Sequence, residues 1–233
     1  MNKEEMIEEI KPHTVMNAIG AESIIPPIPG VDKAFVKDSH DVLDGKAEVT
    51  GNVVVIGGGM VGMETAEYLA EKGAKVSVLE MLPDICSDMG TTRKICMGEE
   101  IQKSGIIPVT SVKVTEIGDN VVIGEKDGEK VEFPCDAAVL AIGAKKRDGS
   151  ALAETCYKNG IGYFEIGDAA MARRAINATR EAMDAALTFD REDVHRDVSK
   201  PKKLVFITGA SGMMGGQTLK QLLARPNRFK VRA

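Results

Sequence analysis

The chain predicts an α/β fold with a parallel sheet, and three observations carry that prediction. A β-branched strand runs straight into a glycine-rich turn and a helix at residues 52–72. The same order returns at residues 203–225. The strands themselves are short, continuously apolar and bounded by glycine, as a sheet covered on both faces requires.

Val53-Val54-Val55-Ile56 leads into Gly57-Gly58-Gly59-Met60-Val61-Gly62, then an amphipathic stretch to Lys72 and a second apolar strand ending at Glu80-Met81. In the spacing Gly57-x-Gly59-x-x-Gly62 the three glycines serve in turn a tight reversal, room for a pyrophosphate against bare backbone, and close helix-on-strand packing. The helix N-terminus adds N–H groups and roughly half a positive charge for phosphates. Strand, glycines, helix, strand and terminal acid fall in order within about 30 residues, the context that the motif needs. A Rossmann-like unit binding a dinucleotide is expected, with Gly57, Gly58, Gly59, Met60, Val61 and Gly62 at the phosphates. Glu80 can accept both ribose hydroxyls of an adenosine and would repel a 2′-phosphate, and Met81 follows it without a nearby Arg. NAD (NADH) is therefore favoured over NADP. A strand-end Glu that simply faces water is the alternative.

The 233 residues fit one or two domains, and a hydrophobic content of 43% supports a core. With no Trp, three Tyr and six Phe, a base-stacking nucleic-acid surface is not expected. There is no apolar run of about 18 residues, and Met1-Asn2-Lys3-Glu4-Glu5 is no signal peptide. No membrane partner and a cytoplasmic setting are expected. Cys86, Cys96, Cys135 and Cys156 form no C-x-x-C pair and no metal-ligand spacing with the histidines, so reduced thiols are expected and no metal. The net charge of −5 is uneven: residues 200–233 hold eight Lys/Arg and no Asp/Glu, so that segment carries +8 and the remainder −13. Such a break marks segments of different origin.

In order, residues 3–10 read as a short acidic helix stopped by Pro12, and 14–18 as a strand closing on Gly20. Ile25-Pro26-Pro27-Ile28-Pro29-Gly30 is an extended linker, and 37–50 a polar connection. Residues 91–104 form a helix ended by Gly105, and 106–109 a third strand. Between 112 and 133, turns at Gly118-Asp119-Asn120 and Asp127-Gly128 separate three strands of a β-meander. Residues 136–142 return as a buried strand that leaves through Gly143, and a linker, 145–150, leads to Tyr163-Phe164-Glu165-Ile166-Gly167-Asp168-Ala169. A helix from 172 to about 189 follows, with Ala, Ile and Met inward and Asp168 placed to cap it. The expected segments are 1–47, 48–146, 147–195 and 200–233.

The strand, small residue, glycine and proline-rich exit at 14–30 resemble the hinge between the two nucleotide-binding domains of flavoprotein disulfide reductases. Gly57-Gly58-Gly59-Met60-Val61-Gly62-Met63-Glu64-Thr65-Ala66, and Phe164-Glu165-Ile166-Gly167-Asp168-Ala169 followed by Arg173-Arg174, narrow the likeness. They resemble the C-terminal FAD/NAD(P)-binding part of old-yellow-enzyme-type 2-enoate and 2,4-dienoyl-CoA reductases. The resemblance covers residues 11 to about 190. It implies an NAD-binding domain inserted in an FAD-type domain, with Gly143 beside a cofactor, Glu64 toward the nicotinamide, and Gly167 and Asp168 toward FAD. It also implies a flavin (FMN) barrel domain or a redox protein as partner. The glycine fingerprint that opens such an FAD-type domain does not precede residue 3, so that domain is expected to be incomplete.

The run from Lys203 to Gly216, with Thr208-Gly209-Ala210-Ser211-Gly212-Met213-Met214-Gly215, resembles the opening of an extended short-chain dehydrogenase or epimerase. Gly209, Gly212 and Gly215 would then make a second phosphate cradle. The family's Tyr-x-x-x-Lys is matched only by Tyr68 and Lys72, on the first glycine-loop helix, a chance spacing. The expected function is an NADH-binding module that passes a hydride from NADH to FAD, with no catalytic acid or base. A catalytically inactive dinucleotide-binding fragment, from a truncated or fused gene product, and an epimerase or dehydrogenase fragment are the alternatives. Strand 204–208 is further expected to dock beside the strands holding Val15 and Phe164, turning Gly209, Gly212 and Gly215 toward Asp168.

Overall fold

Parallel strands whose two faces are both covered make up the two main sheets of the computed structural model, which describes residues 3–87, 89–188, 203–224 and 229–232. The chain begins α1 (Lys3–Ile10), β1 (Thr14–Asn17), β2 (Ala21–Ser23), β3 (Val36–Asp38) and α2 (Ser39–Leu43). It continues β4 (Asn52–Ile56), α3 (Met60–Glu71), β5 (Lys75–Leu79), α4 (Thr91–Ser104) and β6 (Ile107–Val109). Next come β7 (Lys113–Ile117), β8 (Val121–Lys126), β9 (Glu129–Pro134), β10 (Ala137–Leu140) and β11 (Ala144–Lys146). Last are α5 (Ser150–Lys158), β12 (Gly162–Glu165), α6 (Ala175–Thr188), β13 (Lys203–Thr208), α7 (Met213–Leu223) and β14 (Phe229–Arg232).

The chain divides into two units, Ser23–Gly143 and the pair Met1–Glu22 with Ala144–Ala233. In the unit Ser23–Gly143 a five-stranded sheet runs β3-β10-β4-β5-β6, with every described pairing parallel. Val53 and Val55 pack on one face with Met63, Ala66 and Leu69 of α3. Val54 and Ile56 pack on the other with Ile117 and Val122 of the antiparallel meander β7-β8-β9. This is why β4 is apolar at every position but its first: it has no wet face. Gly105 ends α4 in the left-handed conformation, φ 69°. The expected polar connection at 37–50 instead holds β3 and α2, where the Asp38 carboxylate accepts the His40 N–H at 2.8 Å. One buried apolar side chain, Val42, is too little to show a period.

In the other unit a four-stranded parallel sheet runs β12-β1-β13-β14. β13 lies directly beside β1, Val15 against Phe206, so the expected docking holds for the strand of Val15. It does not hold for the strand of Phe164, because β12 occupies the opposite edge of β1. Met16, Val205, Ile207 and Leu222 close one face with Ile166 and the alanines of α6. Val15 and Phe206 close the other with Ile7, Leu152 and Cys156. Between the strands, the Thr208 hydroxyl donates to Asn17 Oδ1 at 3.1 Å, and the Leu204 N–H donates to His13 Nδ1 at 3.1 Å.

Three local expectations change here. The stretch 145–150 is not a plain linker: β11 pairs with β2, and α5 starts at Ser150. The inward face of α6 is alanine alone, Ala178, Ala182, Ala185 and Ala186, while Ile176 and Met183 are exposed. Small side chains let the helix approach the sheet closely, and the larger ones are left outside. α6 starts at Ala175 rather than 172. The boundary expected at 195 lies outside the described residues.

If β13 is packed as described, Ile207→Ala, at a side chain only 1% exposed, should destabilise the protein by about 2–5 kcal/mol. Leu223→Ala, on the exposed side of α7, should change it by less than about 0.5 kcal/mol. Urea unfolding measures both, and equal midpoints for the two variants would contradict the packing.

Candidate functional site

β4 ends at Ile56, and the chain reverses through Gly57 at φ 111°, its N–H donating to the Leu79 carbonyl at 2.8 Å. A Cβ on Gly57 would stand 2.5 Å from the Ala141 carbonyl oxygen. One on Gly62 would strike the Gly57 carbonyl, and one on Gly58 would meet Glu80 Cβ at 2.9 Å and Ile85 Cγ2 at 3.0 Å. Gly59 differs from all three. It is the N-cap of α3 at an ordinary φ of −72°, no side chain caps the helix there, and a Cβ on it would find nothing within 4 Å. Fold geometry thus requires glycine at Gly57 and Gly62, where a Cβ would meet backbone, and crowds a Cβ at Gly58 against two side chains. At Gly59 it leaves bare backbone facing open space, which a phosphate group fits and a side chain would fill.

Glu80 stands at the end of β5, only 9% exposed. Its Oε2 accepts the Gly58 N–H at 2.7 Å and its Oε1 the Leu82 N–H at 2.8 Å. The alternative of a glutamate facing water is therefore excluded; the carboxylate straps the glycine turn to the strand end. An ionised carboxylate offers about four lone-pair positions, and these two bonds leave capacity for hydroxyl donors. Met81 is exposed, Val61 sits at the exposed edge of α3, and Met60 packs against the core. Glu64 is half-exposed and paired with Arg93 at 3.4 Å. Gly143, φ 113°, is three residues past the end of β10, and its carbonyl accepts the Ile24 N–H at 3.0 Å.

The second glycine turn, in the unit containing β13, repeats the first. A Cβ on Gly209, φ 77°, would strike the Ala18 carbonyl, and one on Gly215 the Gly209 carbonyl. Gly212, the N-cap of α7 at φ −76°, would bring a Cβ only to 3.4 Å from the Gly209 oxygen. A cavity of about 350 Å³ opens beside it, lined by Ala18, Gly20, Asp168, Arg173, Gly212 and Met213 among others. Gly167 and Asp168 lie in a single 3-10 turn, so Asp168 does not cap α6 as expected. Its Oδ1 accepts the Arg173 N–H at 3.2 Å, fixing the segment ahead of the helix. The Gly167 N–H donates to Glu181 Oε2 at 2.8 Å, and Glu181 also pairs with the Arg173 guanidinium. The sequence does not announce Glu181, because a glutamate in mid-helix carries no local signal of a partner fourteen residues back.

Burial pushes the Cys135 and Cys156 thiols up to about 11, and among the described residues no disulfide and no metal-holding cluster occurs. No helix of the described residues is long and apolar enough to cross a membrane.

Residues 2–182 match the family described as pyridine nucleotide-disulphide oxidoreductase. The chain belongs to this family. It is 44% identical over 141 residues to the bilirubin reductase of Mediterraneibacter gnavus, a match that covers 60% of this chain and 22% of that protein. It is 40% identical over 187 residues to the NADH oxidase of Thermoanaerobacter brockii, covering 78% of this chain and 29% of that one. A solved complex of 2-naphthoyl-CoA reductase with 2-naphthoyl-CoA superposes with a TM-score of 0.70 at 30% identity, over 76% of this chain and 27% of that one. The chain thus spans less than a third of these proteins. β13, α7 and β14 lie beyond the residues matched to the family.

The glycine geometry makes a direct prediction. Gly62→Val should lower the thermal midpoint, an overpacking penalty of at least about 1–3 kcal/mol. Gly59→Val should leave the midpoint of the unliganded protein nearly unchanged. Circular-dichroism melting distinguishes them, and equal losses would show that the Gly59 backbone is not open.

Proposed function

We propose that this chain is the NADH-binding module of a flavin-dependent oxidoreductase, passing a hydride from NADH to FAD. The observation that carries the reading is the bare backbone of Gly59 at the α3 N-terminus, beside a buried carboxylate with lone pairs to spare. The pyrophosphate lies on the Gly59–Gly62 turn, where backbone N–H groups and the helix dipole favour negative charge. Gly57, Gly58 and Gly62 hold the turn in shape, with Met60 and Val61 opening the helix. Glu80 accepts the adenosine ribose hydroxyls and keeps a 2′-phosphate out, with Met81 at the rim. Glu64, its charge tempered by Arg93, stands toward the nicotinamide, and Gly143 borders the same ligand.

The flavin, when bound, supplies the hydride-accepting chemistry. The chain's own residues bind and orient; no side chain is assigned as acid or base. The relatives are three or more times longer than the matched segment, which supports a further domain or protein as electron acceptor, an FMN barrel or a redox partner. The name 2-naphthoyl-CoA reductase favours the old-yellow-enzyme-type enoate reductases among the possible parents. A cytoplasmic setting belongs to the same reading. Residues 203–232 are read as the opening βαβ unit of an extended short-chain dehydrogenase.

Calorimetric titration of NADH and NADPH against wild type and Glu80→Ala tests this reading. The wild type should prefer NADH, and the variant should lose about 10- to 150-fold of that preference, the worth of a charged hydrogen bond at about 1.5–3 kcal/mol. Loosening of the glycine turn affects both cofactors alike, so the ratio isolates the ribose contact. A wild type that binds neither cofactor would overturn the function. An unchanged ratio would remove Glu80 from the site.

A further inference from the structure

We propose that β13 and α7, although outside the family match, complete a second dinucleotide site in their unit. FAD is the occupant, its pyrophosphate on the Gly212 backbone and its hydroxyl-bearing chain against Asp168. The inference rests on the reading that NADH occupies the Gly59 turn, since a hydride donor needs an acceptor.

Topology supports it first. In the unit Ser23–Gly143, β4 lies between β10 and β5, and its glycine turn is packed on the backbone of Ala141-Ile142-Gly143, where the chain leaves β10. In the other unit, β13 lies between β1 and β14, and its turn is packed on Ala18-Ile19-Gly20, where the chain leaves β1. The flanking strands, their parallel direction, the close approach of glycine to a carbonyl and even the Ala-Ile-Gly exit coincide. A βαβ unit from the far end of the chain has entered the place in the sheet that a glycine fingerprint occupies.

Chemistry supports it second. Two of the three glycines are forced by the fold, as in the first turn, while Gly212 has an unstrained backbone and space in front of it. That space belongs to the cavity of about 350 Å³, within the ordinary size of ligand sites. Asp168 and Arg173 come to it from a segment that precedes both α6 and β13 in the chain. A carboxylate there repels phosphate and accepts hydroxyl donors, so the ligand must offer phosphate at the Gly212 end and hydroxyls at the Asp168 end. A dinucleotide with a sugar or polyol chain has both. Met213 and Met214 supply an apolar wall beside the turn.

The test uses the full chain and free FAD, followed by quenching of flavin fluorescence and by the flavin spectrum retained after gel filtration. Wild type should take up one FAD per chain, and Gly212→Val should weaken binding at least about tenfold, more than 1.4 kcal/mol. Gly59→Val should bind FAD normally while losing NADH. Melting curves establish that each variant is folded; if Gly212→Val is not, Gly212→Ala, with a smaller but measurable loss of FAD, takes its place. Three results would overturn the proposal: no FAD uptake by wild type, unchanged FAD affinity in the folded Gly212 variant, or loss of FAD in Gly59→Val instead. In the first two, NADH binding that remains sensitive to Gly59→Val would leave the NADH reading standing. NADH binding indifferent to Gly59→Val would remove that reading by itself.

Discussion

The close approach of a glycine to the carbonyl of the neighbouring strand is the constraint from which both glycine turns follow. Gly57 comes against Ala141, and Gly209 against Ala18, closer than any Cβ would permit. That approach lets the chain turn within a few residues from strand to helix. The helix then starts just beyond the C-terminal end of the strand, at Gly59 and at Gly212. A larger residue at Gly57 or Gly209 would push the helix away, and the open position two or three residues later would move with it. The geometry proposed to bind phosphate is thus a consequence of strand packing.

Glu80 shows how the turn is kept from shifting. A carboxylate that is nearly buried and accepts two backbone N–H groups is held by charge-assisted bonds, each worth about 1.5–3 kcal/mol. It is anchored in the sheet by β5, which is buried beside β4. The same side chain that is assigned to the ribose is therefore already part of the scaffold, and its position is fixed before any ligand arrives. In the other unit Glu181 plays a comparable structural part, tying the Gly167 N–H and the Arg173 guanidinium to α6.

Much of this was legible in the sequence wherever a residue's local chemistry dictates its conformation. Glycines at the required spacing, Gly105 at the end of α4 and the Asp127-Gly128 turn each name their own structure. The docking of β13 on β1 was legible too, because a strand left without its neighbour exposes unpaired backbone groups and apolar side chains, and the chain offers an apolar strand to cover them. What escaped were elements with few buried side chains. α5 buries only Leu152 and Cys156, and β3 and α2 are shorter than a period can reveal. Long-range partners escaped as well: nothing near Glu80 announces Gly58, and nothing near Asp168 announces that it fixes Arg173 instead of capping α6.

If both glycine turns are dinucleotide cradles, as proposed, the protein should hold two dinucleotides at once. The most direct measurement is calorimetry on the unmodified chain, titrating FAD into the protein already saturated with NAD, and NAD into the protein already saturated with FAD. One site for each ligand is expected, with neither order of addition abolishing the second binding event. Mutual displacement, or a single site shared by both, would contradict it.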